Sequence, residues 1–128
     1  MQPSKIKNLI EQNKSGAGEL VVVEGLHAVK HALRFKAEPE VIVTVNKAKL
    51  LELSNKLCPD ITERLKELVE EVGEGFELFT ESTIRTGIFG LFYKPKTSEG
   101  RVREASVLLD DPKDLDNIGA TVRVCAAA

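Results

Sequence analysis

Apolar residues alternate along the chain between short unbroken runs and stripes at helical spacing, and this alternation sets the expected elements. Ile6, Leu9 and Ile10 stand at i, i+3, i+4 and predict an amphipathic helix over 4–12, with Ser4 as N-cap. Residues 13–18 are polar and glycine-rich, a loop by composition. Leu20-Val21-Val22-Val23 is an unbroken run that suits a central strand. Gly25 permits a tight turn into a helix over 26–35, where Leu26, Val29, Ala32 and Leu33 repeat at helical spacing. The β-branched run 41–45 predicts a second strand. Asn46 is placed to cap a helix over 47–57 whose apolar positions are Leu50, Leu53 and Leu57, and Pro59 breaks it. Asp60-Ile61-Thr62-Glu63 has the form of a capping box. It opens a helix with the stripe Ile61, Leu65, Leu68, Val69, Val72, stopped at Gly73-Glu74-Gly75. Residues 76–79 predict a third strand, 80–85 a helical turn closed by Gly87, and 91–93 a short fourth strand or edge.

From Lys94 to Glu104 proline, glycine and charge dominate, as in a linker. Beyond it, Val107-Leu108-Leu109 reads as a buried strand. An acidic turn of Asp110, Asp111, Pro112 and Asp114 follows, and an alanine-rich helix begins near Asn117. Strands alternating with helices argue an α/β fold, a three-layer α/β/α sandwich, over 1–96. The expected division is a substrate-binding domain at 1–96, a linker at 97–104 and the start of a second domain at 105–128. One strand and one helix bury too little to stand alone. The chain therefore reads as ending inside a domain it does not complete.

Composition narrows the picture only a little. Of 128 residues, 42% are hydrophobic and 30% charged, as in ordinary soluble domains, and no run approaches a membrane span. The start lacks the apolar core of a signal peptide, which with only two cysteines, Cys58 and Cys125, points to a cytoplasmic protein with reduced thiols. The net charge of −2 does not advertise a nucleic-acid binder, so any such role rests on local patches.

Asp111-Pro112, then Asn117-x-Gly119-x-x-x-Arg123 and an alanine-rich helix, resemble the first motif of the SpoU (TrmH) RNA 2′-O-ribose methyltransferases of the SPOUT superfamily. LVVVEGLHAVKHAL at 20–33 resembles the start of the RNA-binding domain that precedes the SpoU domain. The resemblance implies a first domain with the fold of the kink-turn-binding ribosomal proteins, followed by an incomplete first βα unit of a knotted domain. It implies methyl transfer from S-adenosylmethionine to a ribose 2′-hydroxyl of ribosomal or transfer RNA. It also implies that the cofactor pocket and the homodimer interface lie in later motifs that these residues do not contain. As a fragment, the chain is expected to recognise RNA, to bind no cofactor, to be inactive alone, and to be monomeric or weakly self-associating.

The resemblance assigns catalytic roles to Asn117, Gly119 and Arg123. A guanidinium keeps its proton, so Arg123 suits a bidentate phosphate clamp better than a base; otherwise it is a surface arginine. Asn117 is a helix N-cap by position and an active-site residue by resemblance, and both roles are compatible. Gly119 permits close approach of backbone or substrate. The four aspartates at 110–116 fail the calcium-loop pattern, and acidic residues before a helix start are expected from its dipole. His27 and His31 have the i, i+4 spacing of half a zinc site without a third ligand, so no metal is expected. His27 and Lys30, near the start of their helix, are candidate RNA contacts. Lys94, Lys96, Arg101 and Arg103, beside Tyr93, form a loose basic run that is either an RNA path or a solvated linker. Glu67, Glu70, Glu71, Glu74 and Glu77 predict an acidic face turned away from RNA.

Two other functions fit parts of the pattern. A stand-alone kink-turn-binding module would carry a Gly-x-Asn-Glu element, whereas this chain has Glu24-Gly25-Leu26-His27. A small interaction or signalling domain without an RNA role fits the mild acidity, and the salt dependence of RNA binding separates it from the rest.

Overall fold

The computed structural model describes residues 1–13, 16–73, 86–96 and 105–127. The chain divides into two compact units, Met1–Lys96 and Thr97–Ala128. The first unit is mixed α/β. Its elements are α1 (Pro3–Asn13), β1 (Leu20–Glu24), α2 (Gly25–Arg34), β2 (Pro39–Thr44), α3 (Lys47–Leu57), a 3₁₀ turn (Pro59–Ile61), α4 (Thr62–Leu68), β3 (Val69–Glu71) and β4 (Ile88–Tyr93). The strands form one sheet in the order β1-β4-β2-β3. β4 runs antiparallel to both β1 and β2, while β2 and β3 are parallel.

The sheet is covered on both faces because its central strands carry apolar residues that face each way. On β4, Ile88 and Phe92 join Ile42 of β2 and Val69 of β3 in one core cluster with Val29 and Leu33 of α2, Leu50 of α3 and Leu65 of α4. The intervening residues Phe89 and Leu91 join Val41 and Val43 on the other face, packed with Leu20 and with Ile6 and Ile10 of α1. Successive strand residues point to opposite faces, so a run such as Ile88-Phe89-Gly90-Leu91-Phe92 supplies both cores at once. Each large side chain so buried contributes roughly 1.5–3 kcal/mol.

Local signals place several boundaries as expected. Asn46 Oδ1 accepts the Lys49 amide at 2.9 Å and starts α3. Gly25 opens α2 at φ +82°, a value glycine adopts without strain. Other boundaries differ. α1 begins at Pro3, and the Gln2 carbonyl accepts from the Lys5 and Ile6 amides, so Ser4 lies inside the helix rather than capping it. Leu57, expected on the buried side of α3, is 61% exposed.

The helix expected over 60–72 is the largest correction. It divides into the 3₁₀ turn, α4 and β3. Val69, Glu70 and Glu71 pair with Ile42, Val43 and Thr44, and Val69 is buried in the same cluster as Leu65. An apolar pair such as Leu68-Val69 fits either period, and the open edge of β2 decides for a strand. The expected capping box does not form: Asp60 binds Arg34 instead, and Ile61 stands at the N-cap of α4 with no side-chain bond. β4, expected as a short strand or edge at 91–93, spans Ile88–Tyr93 and lies between two other strands. Gly87 before it has φ +58°, and a Cβ there would stand 2.5 Å from Val45 Cγ2. The expected third strand at 76–79 and the turn at 80–85 lie outside the described residues.

The second unit contains one described element, α5 (Leu115–Ala127), which has no buried residue. The strand expected at Val107-Leu108-Leu109 is absent. These residues are irregular, with Leu108 91% exposed, because a strand needs a partner ladder and no described segment supplies one. α5 starts two residues before Asn117. Asp114 Oδ1 accepts the Asp116 amide at 2.8 Å and the Asp114 carbonyl accepts the Ile118 amide at 3.1 Å, so Asp114 holds the cap position expected of Asn117. Among the described residues no helix is long and apolar enough to cross a membrane.

Candidate nucleic-acid interface

α2 and the turn after it bring together cationic and aromatic side chains. Residues 25–37 contain Lys30, Arg34, Lys36 and both histidines, with no aspartate or glutamate. The helix start is fixed from a distant segment: the Leu26 amide donates to Thr86 Oγ1 at 3.0 Å. His27 is exposed, and its ring meets the half-buried His31 edge-on at a centroid distance of 4.7 Å. His31 in turn lies nearly parallel to Phe35, at 6.4 Å and 27°. Burial lowers the His31 pKa, and the charges of His27, Lys30 and Arg34 push the same way, so the ring is neutral near pH 7.

The C-terminal end of α2 is a Schellman motif. The Ala37 amide donates to the Ala32 carbonyl at 2.9 Å and the Lys36 amide to the Leu33 carbonyl at 3.1 Å. The residue that turns left-handed is Lys36, at φ +60°, where glycine is usual. Arg34 grips Asp60 with two bonds, Nε to Oδ2 at 2.8 Å and a terminal nitrogen to Oδ1 at 2.7 Å. The shared bonds hold the Asp60 carboxyl below its ordinary value and raise the Arg34 guanidinium. Arg64 donates to the Leu33 carbonyl at 3.5 Å, which brings a further cation to the same helix end.

His27 and Lys30 thus lie on the face that carries the rings, although His31 and Phe35 were not among the expected contacts. Their signal was legible in the ring spacing i, i+4, i+8 interleaved with cations, but each residue had a separate ordinary explanation.

The second expected basic group is less open to a ligand. The Lys94 ammonium donates to the Gly16 carbonyl and its amide to Glu19 at 2.8 Å, tying the strand end to the preceding loop. Tyr93 donates to Glu40 Oε2 at 2.5 Å. That bond raises the phenol pKa, as do burial and the charges of Glu40, Glu38 and Glu19. Lys96 is exposed, and Arg101 and Arg103 lie outside the described residues. The acidic residues at 67–71 do not line one helix face. Glu67 is on α4, while Glu70 pairs with the Met1 amine and Glu71 accepts the Lys47 amide at 2.7 Å; Glu74 and Glu77 lie outside the described residues.

Asn117, Gly119 and Arg123 all fall on α5. At about 100° per residue, Gly119 and Arg123 share a face and Asn117 lies about 120° around from Arg123. The Asn117 carbonyl accepts from Thr121 Oγ1 at 2.9 Å, and a Cβ on Gly119 would meet nothing within 4 Å. Among the described residues no three His, Cys, Asp or Glu side chains gather to hold a metal. Cys58 is buried with its sulfur 3.5 Å from Ser54 Oγ, and Cys125 is exposed. No protein-family model matches the chain, and no curated protein and no solved structure proves similar to it.

Proposed function

We propose that the chain carries the RNA-recognition domain and the opening catalytic segment of a SpoU-type (TrmH) RNA 2′-O-ribose methyltransferase of the cytoplasm. The observation that carries this reading is the segment Asp111-Pro112…Asn117-x-Gly119-x-x-x-Arg123, placed on a helix that leaves all three motif residues accessible. For the first unit we infer the sandwich of the kink-turn-binding ribosomal proteins. Apolar clusters on both sheet faces and a cation-rich α2 support it. The exposed Val107, Leu108, Val122 and Val124 support a second unit that needs further strands and helices over it.

In this reading Arg123 grips a phosphate next to the target ribose and so orients its 2′-hydroxyl; Asn117 orients the arginine or the sugar. S-adenosylmethionine supplies the methyl group in the complete enzyme. The described residues of 105–127 are exposed, apart from half-buried Ile118 and Thr121, and do not enclose a nucleoside. A homodimer belongs to the complete enzyme.

Tritium transfer from S-adenosylmethionine to ribosomal or transfer RNA tests the reading. The 128-residue chain should transfer none, whereas a longer protein with a knotted domain should be active and lose at least tenfold on Arg123→Ala. Turnover by the chain alone, or an unimpaired Arg123→Ala enzyme, contradicts it.

A further inference from the structure

We propose that the ring series His27–His31–Phe35 on α2 is a stacking platform for unpaired RNA bases, with Lys30 and Lys36 holding the adjoining phosphates. The inference deepens the RNA-recognition reading and rests on it.

Four observations converge. The three rings stand at i, i+4, i+8 and touch in sequence, edge-on and then nearly parallel. The last ring is open, with Phe35 82% exposed, so its outer side is available to a further flat group. His31 is half-buried, which holds it as a fixed spacer between His27 and Phe35. The charges within the series have one sign: no acidic residue occurs in 25–37, Lys30 and Lys36 alternate with the rings in sequence, and Asp60, which meets the helix, is bound by Arg34. Arg34 adds little to the ligand, because its fork is closed on Asp60.

The left-handed Lys36 points the same way. Glycine at that position would remove the backbone strain, yet the chain keeps a long cation next to the open ring. Backbone strain of this kind clusters at ligand-binding sites. A cation alone would complement the helix dipole from any position in the last turn, without a positive φ.

Rings paired with lysines match single-stranded nucleic acid, where bases stack on aromatic side chains and phosphates meet ammonium groups. A duplex keeps its bases stacked inside and offers nothing to Phe35.

The test uses the full chain, a fluorescein-labelled adenosine decamer, and an RNA duplex of equal length, read by anisotropy at several salt concentrations. Phe35→Ala should weaken decamer binding about five- to hundredfold and leave duplex binding unchanged. Lys30→Gln should reduce the salt slope by about 0.7. Phe35→Trp should bind normally. The protein has no native tryptophan, so the new indole fluorescence should be quenched as decamer is added. Circular dichroism checks that each variant is folded.

Decamer binding that is salt-dependent but indifferent to Phe35→Ala, with no quenching in Phe35→Trp, overturns the platform and leaves the RNA reading intact. A platform that works in a chain whose longer form methylates nothing overturns the methyltransferase reading alone. Failure to bind any single-stranded RNA overturns the platform.

Discussion

Lys36→Gly should make the first unit more stable while weakening its grip on RNA. Lys36 holds φ +60° because the Schellman turn after α2 needs a left-handed residue there. That conformation costs an L-residue about 1–2 kcal/mol, and glycine escapes it. Glycine also loses more backbone entropy on folding, about 0.5–1 kcal/mol. The balance favours glycine by about 0.5–1 kcal/mol, which in a unit of this size raises Tm by roughly 2–8 °C. Urea unfolding followed by circular dichroism should show a higher midpoint with an unchanged slope. The same variant should bind the adenosine decamer more weakly and with a shallower salt dependence, since one phosphate partner is gone. A midpoint equal to or below that of the parent would refute the argument, because the turn would then carry no strain at Lys36.

Two further outcomes follow from the packing and the electrostatics. A Cβ on Gly90 would stand 2.5 Å from Phe92 Cε2 and 3.3 Å from Cζ, inside the core. Gly90→Ala should therefore lose roughly 1–2 kcal/mol, since overpacking outweighs the gain from replacing a strand glycine. In a Phe92→Leu background the loss should vanish, and simple additivity of the two changes in urea midpoints would contradict the contact. His31 has a folded pKa below its ordinary 6.5, so the folded state resists protonation. The stability it contributes is present above about 6.5 and is lost as pH falls through the folded value. The Asp60 carboxyl, also lowered, acts only further down, in the carboxylate range. His31→Gln should flatten the urea midpoint between about pH 7.5 and pH 5, and an unchanged pH profile would count against the assignment.

Periodicity alone determined much of the first unit. Ile6 and Ile10, Leu26, Val29 and Leu33, and Leu50 are buried where their spacing puts them, because a stripe at helical spacing can be hidden only on one side. Asn46 capped its helix because a cap is a local bond between residues three apart. The candidate site was half legible in the same way: His27 and Lys30 stood out as candidate phosphate contacts near a helix start.

Only tertiary structure decided the rest. Val69–Glu71 became a strand because β2 offered an open edge, which no local pattern records. Ile88–Tyr93 became central because two strands close on it from either side. Val107–Leu109 stayed irregular for the opposite reason, a strand-like sequence with no described partner ladder. Asp60 left its expected cap for Arg34, twenty-six residues away. Local sequence fixes what a segment prefers, since caps and periods act over a few residues. Pairing and burial are settled by whichever distant segment arrives to satisfy the backbone.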